Sequence, residues 1–128
     1  MIDTVLGWLF KIASLMRHVR VRTHRAYLPT NTDCYFINVT NLSPQRDAEI
    51  THVWMASDPE VHVLNSQRPL PRRLRPEESW ETWIQVDRLP ENVRETAHAL
   101  ARVRLSTGSV IKSKRNENVP PIGSIPGS

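Results

Sequence analysis

From Val19 onward, apolar and polar side chains alternate almost one for one in short runs separated by turn-forming residues, and this period of two constrains the fold more than any other feature. Side chains two apart share one face of a strand, whereas helix faces repeat every three to four residues. Val19 and Val21 alternate with Arg20 and Arg22 in a first strand that is expected to end near Pro29. Tyr35, Ile37 and Val39 oppose Asn38 and Thr40 in a second, running from Cys34 to Leu42. A third, Glu49 to Ala56, is expected to turn Ile50, His52 and Trp54 one way, and Val61 and Val63 flank His62 in a short fourth. Trp80, Thr82, Ile84 and Val86 oppose Glu81, Trp83 and Gln85. Ala99, Ala101, Val103 and Leu105 oppose Leu100, Arg102 and Arg104, and a Ser106–Ser109 turn leads into a last strand at Val110 to Lys114.

That is about seven short strands with turn signals at the spacing of a sandwich or barrel. The fold class is therefore mainly β, an antiparallel sandwich whose core includes Ile37 and Trp54. The segment Arg68 to Pro76 cannot be a central strand, because Pro69, Pro71 and Pro76 each lack a ladder donor. It reads as an extended connection that tucks Leu70 and Leu74 under the sheets.

The first sixteen residues follow the other period. Ile2, Val5, Leu6, Leu9, Ile12, Ala13 and Met16 lie at helical spacing, and Trp8, Phe10 and Leu15 spread apolar surface beyond one stripe. The charge order, Asp3 before the run and Arg17, Arg20 and Arg22 after it, is the reverse of a signal peptide. The run is too short and too interrupted by Lys11 to span a bilayer. Three parts follow: an apolar helix at 1–16, the sandwich at 17–115 and a Pro/Gly-rich tail at 116–128. The helix is expected to pack on its own domain, on another chain or on lipid, with Trp8, Phe10 and Leu15 as the association surface.

Four stretches, Cys34–Asn41, Ile50–Trp54, Leu74–Trp80 and Ala101–Leu105, together resemble a group of small, functionally uncharacterised prokaryotic proteins with an immunoglobulin-like β-sandwich. The resemblance spans roughly residues 19–115 and implies that fold. It implies no activity, because fold alone does not carry function.

Chemistry-bearing patterns point away from catalysis. With four glycines in the chain there is no phosphate-binding glycine loop, and no nucleophile elbow appears. Cys34, His52 and His62 would have to converge across strands to hold a metal, and no metal-ligand spacing supports that. Glu77, Glu78 and Glu81 read as a solvated acidic rim. No cofactor or small-molecule substrate is expected. The lone Cys34 excludes an internal disulfide and suits a cytoplasmic location, with peripheral membrane contact as an extension of it.

Charge carries the functional signal. Residues 1–32 hold five bases against one acid, residues 33–101 hold eleven acids against seven bases, and residues 102–128 again hold five bases against one acid. If the first and last strands lie side by side, Arg20 and Arg22 join Arg102, Arg104, Lys112 and Lys114 in one basic patch. The expected function is a non-catalytic interaction module that docks on a protein partner, on a second copy of itself or on an anionic membrane. The alternative is a nucleic-acid binder, which would call for aromatic side chains among the basic ones; in the sequence only Tyr27 lies near. An enzyme or metal-binding protein comes third.

Overall fold

β-Branched and aromatic residues on one face of each run, with polar ones on the other, favour half-buried pleated strands. The structure, a computed structural model, describes residues 18–116. Strands occupy 48% of these and 3-10 turns 9%, so the architecture is mainly β. The strands are β1 (Val19–Tyr27), β2 (Asp33–Asn41), β3 (Ala48–Met55), β4 (Val61–His62), β5 (Arg72–Leu74), β6 (Ser79–Gln85), β7 (Ala101–Leu105), β8 (Val110–Lys112) and β9 (Lys114–Arg115). They form two sheets. Sheet A has the order β6-β2-β1-β9, and sheet B the order β4-β3-β7-β8 with β5 also paired to β3. The apolar segment 1–16, with Trp8, Phe10 and Leu15, lies outside the described residues, as does the tail after Asn116.

The inward faces of the two sheets share one apolar core. Val21, Tyr35, Ile37 and Val39 of sheet A meet Ile50, Val53, Met55, Leu74 and Val103 of sheet B, all essentially without solvent contact. Leu70 packs partly against this cluster and Leu74 is fully buried, as expected of the proline-rich connection. The alternation read from β2 and β6 is the observed one: Tyr35, Ile37 and Val39 face in, and so do Trp80, Thr82 and Ile84.

Four details differ from the sequence reading, each for a physical reason. Trp54 is not a core residue. Between Ile50 and His52 the register of β3 against β7 shifts by one residue, because Thr51 is extra. This bulge resets the alternation, so Ile50, Val53 and Met55 face the core while His52 and Trp54 face out. It keeps an imidazole out of the interior, where an unpaired polar ring is costly. Second, Ala97–Ala99 is a 3-10 turn, not a strand, and Ala99 is exposed. Third, the expected last strand is broken at Ser113. That residue is buried, its hydroxyl donating to the His98 carbonyl at 2.6 Å and accepting from the Ala101 amide at 3.1 Å. The chain thereby passes from β8 in sheet B to β9 in sheet A. Fourth, β9 runs parallel to β1, so the architecture is not wholly antiparallel.

Asn41 ends β2 and ties down two loops. Its buried Nδ2 donates to the carbonyls of Arg46 at 2.7 Å and Arg75 at 3.0 Å, while Oδ1 accepts from the Ser43 amide at 3.1 Å. Cys34, also on β2, has no solvent contact. Burial, reinforced by the charges of Asp33 and Asp87, pushes its thiol above the ordinary range. Because only the thiolate is nucleophilic, iodoacetamide at neutral pH should leave Cys34 unmodified in the native protein and label it readily in denaturant. Equal labelling rates in the two states, read by intact mass, would show that the site is open.

Candidate anion-binding face

On the outer side of sheet A, strand register sets side chains in rows across the strands. One row is Ser79, Thr40 and Arg20; the next is Glu81, Asn38, Arg22 and Lys114. Parallel pairing of β1 with β9 is what sets Lys114 beside Arg22. Arg20, Arg22, Lys114 and Arg115, with Asn38, Thr40 and Ser79 between them, line a concavity of about 520 Å³. Among the described residues, no carboxylate lines it. Thr40 and Ser79 share a hydrogen bond at 2.9 Å, and the Arg22 guanidinium donates to the Val21 carbonyl at 3.1 Å.

Ion pairs among the described residues lie elsewhere: Arg25 with Asp33 and Glu95, Arg72 with Glu78, and Arg73 with Asp47 and Glu49. The four cations at the concavity therefore have no acidic partner among the described residues. One of them, Arg115, also acts inward. His98 is held below its ordinary range, first by burial and then by Coulombic interaction with Arg115, Arg25 and His24.

A third row borders the basic ones. His24, Phe36 and Trp83 occupy consecutive strands. The His24 and Phe36 rings stack with centroids 5.3 Å apart, and Phe36 and Trp83 lie 5.9 Å apart at 41°. Asn38 reaches from the basic row to His24, Nδ2 to Nδ1 at 3.2 Å. Arg68 closes the far end of the aromatic row, its guanidinium 4.9 Å above the Trp83 ring and its Nε donating to the Glu81 carbonyl at 2.9 Å.

The six basic residues singled out from sequence do not form one patch. Arg20, Arg22 and Lys114 meet at the concavity, but Arg102, Arg104 and Lys112 belong to the outer face of sheet B, where Arg102 pairs with Lys112. The sheet change at Ser113 divides them. Arg104 there lies 5.5 Å over the outward-facing Trp54 ring, which also approaches His62 at 6.4 Å. Sequence reasoning missed Arg115 as a site residue. It also missed the aromatic row: Tyr27 looked nearest in the chain, but Phe36 and Trp83 come into the row next to the basic ones only through strand pairing.

Catalytic and metal constellations can be placed too. Cys34 lies in sheet A while His52 and His62 lie in sheet B, so the three do not converge. No cluster of three or more His, Cys, Asp or Glu side chains suited to a metal occurs among the described residues. Glu78 accepts from the Arg75 amide and pairs with Arg72, a local turn tie. Tyr35 donates from its hydroxyl to the Arg94 carbonyl and packs edge-on to His98. No helix among the described residues is long and apolar enough to cross a membrane.

Comparisons with family models, with curated proteins and with solved structures return no match. The functional reading therefore rests on the geometry and chemistry of these residues.

Proposed function

We propose that this chain is a non-catalytic interaction module, built as an immunoglobulin-like sandwich, that holds an anionic partner on the outer face of sheet A. The immunoglobulin-like reading is supported by strand neighbours. β1, β2 and β6 adjoin as the first, second and fifth strands do in such domains, and β3, β7 and β8 as the third, sixth and seventh. The binding reading is carried by one observation: around the concavity, four cations have no acidic partner and meet no carboxylate among the described residues. Arginine forks and a lysine ammonium suit phosphate, sulfate or carboxylate oxygens. Gathering like charges this closely is unfavourable unless a ligand or counterions neutralise them. The apolar segment at 1–16 is proposed, from sequence, as the element for self-association or lipid contact, within a cytoplasmic setting.

A charge-matched comparison tests the face. On a sulfated-polymer column, Arg22→Gln/Lys114→Gln should elute at distinctly lower salt than Arg102→Gln/Arg104→Gln, although both pairs remove the same net charge. Identical elution would mean that the protein binds by overall charge, and the proposed face would fall.

A further inference from the structure

The concavity is only part of the sheet A surface. The aromatic row His24, Phe36 and Trp83 lies two residues along the strands from the basic row, about 7 Å away at the rise of a β-strand. Resting on the anion-binding reading above, we infer that the partner of this face is single-stranded nucleic acid. Its phosphates would sit at Arg20, Arg22, Lys114 and Arg115, and its bases against the Phe36–Trp83 row.

Each nucleotide repeats one anion and one flat ring, and this face repeats one cationic strip and one ring strip side by side. Proteins that hold single strands without strong sequence preference combine these two elements, a positive groove for the backbone and aromatic side chains for the bases. Arg68, spread over Trp83, adds a planar cation of the kind on which bases also stack. Thr40 and Ser79 offer hydroxyls beside the cations, and Glu81, next to Asn38 at the sheet edge, can accept from exocyclic amines. The other partner classes use less of the face. A duplex presents phosphates but keeps its bases stacked inside. An acidic protein surface would satisfy the cations and leave the ring row without a matching repeat. A lipid surface would meet the cations with its headgroups and find no repeat that matches the ring row beside them.

The test uses the full-length chain and a fluorescein-labelled single-stranded oligonucleotide about 15 nucleotides long, within the usual site size. Anisotropy should report binding that weakens with salt at a log–log slope of about −3, from four phosphate contacts at roughly 0.7 each. Phe36→Leu and Trp83→Leu should each weaken it by about tenfold, the value of a lost base–aromatic stack. A further variant guards against misfolding: Trp83→Phe should keep affinity within about threefold while abolishing the oligonucleotide-induced quenching of tryptophan fluorescence. Duplex of the same sequence and inorganic polyphosphate should compete poorly.

Two failures are distinguishable. If polyphosphate or anionic phosphatidylserine vesicles displace the oligonucleotide at equal charge, and the ring variants bind as the parent does, the nucleic-acid assignment is overturned and the anion face stands. If the oligonucleotide does not bind and the Arg22→Gln/Lys114→Gln pair elutes like its control, both are overturned.

Discussion

Ile37→Ala should lower the free energy of unfolding by about 2–5 kcal/mol, the cost of emptying a buried aliphatic site, whereas Trp54→Ala should cost only about 1 kcal/mol. The contrast runs against residue size and follows from burial. Ile37 has no solvent contact and sits where β2 faces the β3 and β7 side chains. Removing its outer carbons leaves a void bounded by rigid strands on both sheets, which cannot collapse to fill it. Trp54 lies on the outer side of sheet B, half-buried between Arg104 and His62, and its removal loses a cation–π contact without opening the core. Urea titration of both variants, compared at equal slope, measures the difference. If Trp54→Ala proves the more damaging, the bulge at Thr51 is misplaced and the β3 faces are reversed.

The second large effect is expected at Asn41. Asn41→Leu preserves volume but removes the donor that the Arg46 and Arg75 carbonyls share and the acceptor of the Ser43 amide. Each buried group left unpaired costs about 1–3 kcal/mol, so a loss on the order of 3 kcal/mol is expected. Asn41→Asp sharpens the test. A carboxylate there would face backbone carbonyls, which disfavour its charged form and raise its native-state pKa above the unfolded value of about 3.9. An acid with a raised native pKa binds its proton more tightly when folded, so the variant destabilises most above that pKa. The defect should shrink as the pH falls through it toward about 4. Melting temperatures of the variant and the parent from pH 7 to pH 4 would show the gap narrowing. A constant gap would mean that the side chain escapes to solvent and that the loops are held by other bonds.

How much of this protein was legible before folding depends on the range of the interaction concerned. The inward faces of β2 and β6 were plain in the sequence, because alternation is a local property and each strand keeps its register from end to end. That the proline-rich connection is no central strand was equally plain, since proline removes a ladder donor wherever it stands; that Arg72–Leu74 within it pairs with β3 as the short strand β5 was not. β3 was misread for the opposite reason. A bulge is invisible in a residue pattern, because it exists only relative to the partner strand, and one extra residue exchanged the faces of His52, Val53, Trp54 and Met55.

The same distinction governs the candidate site. The two basic chain ends came from composition, which the chain carries at every stage of folding. Which of those bases act together did not, for Lys112 and Lys114 are two residues apart yet belong to different sheets, separated by the buried Ser113. Nor could the sequence place Phe36 and Trp83 in one row next to that of Arg22, since cross-strand neighbours are selected by register between segments distant in the chain. Local pattern thus determined the strands and the sign of the charge, while the face that gathers cations and rings was decided only by pairing, where one bulge and one sheet crossing redirect the side chains that follow.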